Sequence, residues 1–118
     1  MPVVPISNER DKRIEEFIVE SFSKTTESDY NEKGVWEIKC PDDFTKDIVE
    51  SLEACDYSDV IEDQGKFTSA DTGYQWDPIY NAAIRCKQAK NVKYAEVSIA
   101  QHRKLLVNEF HFEVQFTN

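Results

Sequence analysis

Residues 110–116 read Phe-His-Phe-Glu-Val-Gln-Phe. Phe110, Phe112, Val114 and Phe116 alternate with His111, Glu113 and Gln115. A period of two is the pattern of a strand with one buried and one wet face. Four bulky apolar side chains on one side need a cover, so a second layer must pack on that face.

Upstream, Ala95, Val97 and Ile99 alternate with Tyr94, Glu96 and Ser98. Residues 93–107 also fit a helical stripe through Ala95, Ile99, His102 and Leu106, but the β-branched content favours strand. Gln101-His-Arg-Lys104 reads as a polar turn between these two strands. Ala82, Ile84 and Cys86 alternate with Ala83, Arg85 and Lys87, which reads as a further strand. Ala89-Lys-Asn91 turns the chain after it. The last forty residues are thus expected to form three antiparallel strands.

The first half of the chain carries the cover. Ile14, Phe17, Ile18 and Phe22 recur at helical spacing over residues 8–24. Ser7 or Asn8 is placed to cap that helix. Glu15, Glu16 and Glu20 fall outside its apolar stripe, and residues 24–29 form a polar connector. Trp36, Ile38 and Cys40 alternate along residues 34–40 as a strand. Pro41 ends it, and Asp42 is the expected cap of a second helix with Phe44, Ile48, Val49, Leu52 and Cys55 on one face. Residues 59–68, with Gly65 at the bend, allow a short hairpin. The expected fold is therefore α+β. Two amphipathic helices pack on one face of an antiparallel sheet of about four to five strands, in the order α-β-α-(β)-β-β-β. Residues 1–118 form one domain, residues 1–6 an extended tail, and residues 69–78 an aromatic-acidic loop.

Composition narrows the class. The chain has 118 residues, 40% of them hydrophobic, and only three glycines, as in a globular domain. No apolar run is long enough to span a bilayer, and residues 1–6 do not resemble a secretion signal. The three cysteines make no Cys-x-x-Cys pair, so neither a disulfide framework nor a metal site is expected. Each cysteine falls on the apolar side of its element and reads as a packing thiol. A cytoplasmic protein without cofactor is the resulting expectation.

Charge gives the strongest signal. The formal net charge is −9. Residues 42–63 contain nine acids and one base, Lys46, whereas residues 79–118 are net basic. A field of that sign repels nucleic acid and anionic membranes and attracts basic surfaces. The tripeptide Asp71-Thr72-Gly73 matches the catalytic triplet of aspartic proteases. Its neighbours Ser69, Ala70 and Tyr74 do not match that family's flanks, and no later glycine supplies its second motif. Asp71 and Gly73 read as turn formers.

These features give one leading expectation and two rivals. The leading one is a non-catalytic protein that covers a basic macromolecular partner, such as a nucleic-acid enzyme, in the manner of an inhibitor, immunity protein or DNA mimic. Asp43, Asp47, Glu50, Glu53, Glu62 and Asp63 would supply the charge, with Tyr74 and Trp76 as aromatic anchors. The second is a ligand-binding or enzymatic domain. Its pocket would be lined by Trp36, Phe67, Trp76, Tyr94 and Phe112, with Asp71 or His111 as its polar group. The third is a self-associating accessory subunit, the acidic middle of one copy meeting the basic end of another.

Overall fold

The computed structural model describes residues 3–57, 66–70, 75–104 and 107–118. Helix α1 (Glu9–Ser23) is followed by a 3-10 turn (Glu27–Asp29), strand β1 (Val35–Lys39) and helix α2 (Asp42–Ala54). Strand β2 (Lys66–Thr68), helix α3 (Asp77–Lys90), strand β3 (Tyr94–Lys104) and strand β4 (Val107–Thr117) complete the described elements. The fold is α+β. All strand pairings are antiparallel, in the order β1-β4-β3-β2.

The opening stretch forms the centre of the sheet. Phe112 pairs with Ile38 on one side and Ile99 on the other, and Val114 pairs with Trp36 and Val97. These residues share one face and are buried, apart from the partly buried Ile38. The opposite face carries Glu37, His111, Glu113, Glu96 and Lys66 in register. One apolar and one polar face is what a sheet covered on a single side requires.

The largest correction concerns residues 77–90, which form helix and not strand. Ile79, Ala82, Ala83 and Cys86 are buried, a spacing of three and four that one turn of helix brings together. The window 82–87 is too short for a period of two to be told from 3.6, and Ala82-Ala83 favours helix. Pro78 lies in the first turn, where its missing N–H costs nothing. It starts the helix. The element order is accordingly α-β-α-β-α-β-β among the described residues, not the expected α-β-α-(β)-β-β-β.

Two further boundaries differ. Residues 101–104 extend β3 instead of turning, with Gln101 opposite Phe110 and Lys104 opposite Val107. Pro41, not Asp42, occupies the cap position of α2, and no side chain caps that end. At α1 the cap is Asn8, whose side chain accepts from the N–H groups of Arg10 at 2.8 Å and Asp11 at 3.3 Å. The hairpin expected at 59–68 lies outside the described residues except for β2.

Helices α1 and α3 lie side by side and α2 flanks α1. Ile14, Ile18 and Phe22 of α1 are fully buried. Phe22 packs at 5.7 Å from Trp36 and 5.4 Å from Phe116, with Tyr30 closing the cluster at 4.9 Å from Phe116. Burying a side chain of this size contributes on the order of 1.5–3 kcal/mol. Gly34, at φ +73°, turns the chain into β1. There Asn31 accepts the Val35 N–H on its side chain at 3.0 Å and donates its own N–H to Val35 O at 2.9 Å. That pairing occupies the outer edge of β1 at its first residue.

Candidate functional site

Helix α2 presents the acidic surface. Its apolar side is pinned by Ile48 and Leu52, both fully buried. A residue four positions on returns to the same face, so Asp43, Glu50 and Glu53 are left exposed. Asp42 is exposed beside them, and Lys46 reaches Glu50 only at 3.9 Å. Asp47 differs from its neighbours. It is half-buried and accepts a hydrogen bond at 2.7 Å from Arg13 of α1. That bond and the Asp47 charge raise Arg13 above its ordinary value. Among the described residues the closest compensation of an α2 acid is this bond from α1, while Lys39 and Lys46 stand 3.9 Å from Asp42 and Glu50.

Two bases of the basic C-terminal block, Arg85 and Lys90, serve other contacts. Arg85 donates to Glu15 at 2.5 Å and to Glu16 at 2.6 Å, joining α3 to α1. These bonds, Glu16 foremost, hold the guanidinium above its usual range. Glu15, expected on the wet side of α1, is therefore buried, 8% exposed, with its charge paired. Lys90 donates to Thr25 O at 2.7 Å and lies over the Phe22 ring.

The aromatic anchor expected at Trp76 is a core residue, 1% exposed and stacked 6.4 Å from Phe112. Its indole N–H donates to Ser51 Oγ at 2.8 Å, and Ser51 donates to Asp11 Oδ1 at 2.7 Å. Tyr57 fixes the preceding residue, its hydroxyl accepting the Gln75 N–H at 2.9 Å and meeting Gln75 O at 3.1 Å. A tryptophan with a hydrogen-bond partner inside the core has no reason to face solvent. Glu62, Asp63, Asp71 and Tyr74 lie outside the described residues.

Among the described residues the expected pocket does not assemble, and Asp71 and the Phe67 side chain lie outside them. Trp36, Trp76 and Phe112 fill the core. His111 stands on the opposite face of the sheet, its ring nitrogens 2.7 Å from Glu37 and 2.8 Å from Glu109. A different cleft of about 470 Å³ lies between α3 and the start of β3. Ala83, Ile84, Val92 and Ala95 give it an apolar floor, with Tyr80, Tyr94, Lys87 and Glu96 around them. Tyr94 is 43% exposed there, and its hydroxyl hydrogen-bonds Glu96.

Two of the three cysteines are buried as expected, and burial pushes Cys40 and Cys86 up to about 12. Cys55 is exposed, because α2 ends at Ala54 and the chain leaves the buried face there. Among the described residues no cluster of three or more His, Cys, Asp or Glu has the geometry to hold a metal ion. No described helix is long and apolar enough to cross a membrane.

Sequence reading missed Ser51, Asn81 and Arg85. Asn81 and Arg85 were hidden by the strand reading of their segment. Read as a helix, Asn81 stands on the buried side beside Ala82, and a polar residue among alanines there is the signal that finds it. The chain matches no protein-family model and has no significant match among curated proteins or solved structures.

Proposed function

We propose that this chain is a small, non-catalytic, acidic binding protein that covers a basic surface of a macromolecular partner through the outward side of α2. The observation that carries this reading is the exposure of Asp43, Glu50 and Glu53 along one helix with a single base, Lys46, among them. Arg13 and Arg85 are committed to Asp47, Glu15 and Glu16, and Lys39 and Lys46 approach Asp42 and Glu50 only to 3.9 Å. Like charges at helical spacing weaken a helix by a few tenths of a kcal/mol, a cost that a cationic partner reverses. Such a surface steers its partner over a Debye length and raises the association rate. Glu62, Asp63 and Tyr74 belong to this reading by their sequence neighbourhood alone. Asp47 and Trp76 support the helix and the loop from within.

The test immobilises the chain, challenges it with a cell lysate at low salt, and repeats the capture at about 0.5 M salt, where the Debye length falls to roughly 4–5 Å. The control is Glu50→Lys/Glu53→Lys, checked for unchanged circular dichroism. A basic protein retained by the native chain at low salt, released by salt and lost by the variant is the expected result. Capture that ignores both salt and charge reversal overturns the reading.

The cleft beside Tyr94 favours a second reading, a small-molecule site for an apolar or aromatic anion seated near Lys87. Its volume falls in the range of ligand sites. A fluorescent naphthalene sulfonate should bind there with one-to-one saturation, and Tyr94→Ala/Lys87→Glu should abolish it. Binding indifferent to that pair of substitutions counts against the site.

A further inference from the structure

Residues 3–6 lie across the groove between α1 and α3, and one buried side chain holds them. Asn81 is 1% exposed. Its Oδ1 accepts the Val4 N–H at 2.7 Å and its Nδ2 donates to the Val4 carbonyl at 2.7 Å. The carboxamide thus occupies both main-chain groups of one residue, as a neighbouring strand would. Along the segment Val3 and Pro5 are exposed, while Val4 and Ile6 are half-buried. That is the two-residue alternation of an extended chain on a surface. A cavity of about 430 Å³ continues along it, walled by Lys12, Arg13, Glu15 and Glu16 of α1.

Three physical points follow. The anchor reads main-chain atoms, so any extended apolar-x-apolar segment satisfies it. The segment is joined to α1 through Ser7 alone, because Asn8 already caps the helix, so residues 3–6 can leave without unwinding α1. The hold is modest, since on release both neutral hydrogen bonds are exchanged for bonds to water.

We propose that this groove is an exchange site, in which residues 3–6 of a second copy of this chain take the place of the copy's own segment on Asn81. The contacts made in trans equal those lost in cis, as in any domain swap. The covalent link gives the cis segment an effective concentration on the order of millimolar, so exchange sets in as protein concentration approaches that range. Each copy carries a net charge of −9, and salt relieves their repulsion. Dimer formation therefore strengthens with salt, the reverse of partner capture by α2. The acids of α2 take no part, so either proposal can fail without the other.

The test uses two variants of the full chain. Val4→Pro removes the segment's N–H donor and so weakens its hold on the groove. Asn81→Ala removes the anchor. A synthetic peptide of residues 1–8 is titrated into isotope-labelled Val4→Pro chain, following the backbone amide resonances of residues 12–16 and 80–83, which both variants retain. A saturable shift in the millimolar range, absent from the Val4→Pro/Asn81→Ala chain, is expected. Sedimentation of the native chain should show a dimer near millimolar concentration that grows with salt and is lost in Val4→Pro. No saturable shift up to roughly five times the millimolar effective concentration overturns the proposal, as does a dimer that persists in both variants.

Discussion

The Trp76 indole donates its N–H to Ser51 Oγ at 2.8 Å, and through Ser51 it is joined to Asp11. The loop that leads into α3 is thereby tied to α2 and to the first turn of α1 at one buried hydroxyl. Ser51 is fully buried, so this relay operates out of water, where each hydrogen bond matters most.

Ser51→Ala takes the acceptor from the indole and the donor from Asp11. The expected loss is about 1–3 kcal/mol, read as a lower urea midpoint with unchanged slope. Ser51→Thr retains the hydroxyl, and a smaller loss with Thr than with Ala would separate the hydrogen bond from the packing.

Thiol chemistry should distinguish the three cysteines. Cys40 and Cys86, buried and held near 12, stay unmodified in the native chain at pH 8. Cys55 is exposed and reacts, though more slowly than an ordinary thiol. Desolvation, then the charges of Asp11 and Asp77, push it up and deplete its thiolate. Ellman's reagent should therefore count one accessible thiol in native protein and three in denaturant.

The same burial sets a limit at high pH. Folding raises both buried thiols from 9.0 to about 12, so the native state holds their protons more tightly than the unfolded chain does. Their contribution is complete below pH 9 and is lost as pH climbs from there to 12. Replacing Cys86 by Ala should flatten part of that decline in a series of unfolding curves between pH 8 and 11. An identical slope in both proteins would contradict the assignment.

Asp56 follows α2 at φ +61°, in the left-handed region. Its N–H bonds Glu53 O at 3.1 Å and the Tyr57 N–H bonds Leu52 O at 2.9 Å, so this conformation closes the helix. An aspartate there bears backbone strain and places a negative charge at the negative end of the helix dipole. Asp56→Gly relieves both and should stabilise the chain by about 0.3–1 kcal/mol, measured by thermal or urea unfolding.

Glu53→Lys makes a complementary case. A base in the last turn of α2 suits the dipole, so stability should hold or rise by about 0.3–1 kcal/mol. If partner capture weakens while the melting temperature stays level or rises, the acid is kept for binding and not for folding. A clear fall in melting temperature would place Glu53 in the structural role instead.

The legible parts of this fold were the ones with long, unbroken periodicity. Ile14, Ile18 and Phe22 mark α1 over about two turns, and Phe110 to Phe116 mark most of β4. Segment 82–87 was misread because six residues with alternating character satisfy both periods. Its buried face appears only when Ile79 is included and the contact with α1 is known. The candidate site was half legible in the same way. Which acids of α2 face outward follows from Ile48 and Leu52 facing inward, but the pairing of Asp47 with Arg13 depends on where α1 lies.

The sequence by itself determined the α+β class, the single apolar face of the sheet, the outward acids of α2 and the net charge, because each depends on residues close together in the chain. Tertiary structure alone decided that Trp76 is core, that Arg85 neutralises a buried Glu15, and that Asn81 holds Val4 from 77 positions away. Those outcomes rest on which groups meet across packed elements. A side chain's local pattern records its periodicity, whereas the partner that satisfies its charge or its hydrogen bonds is chosen by the whole fold.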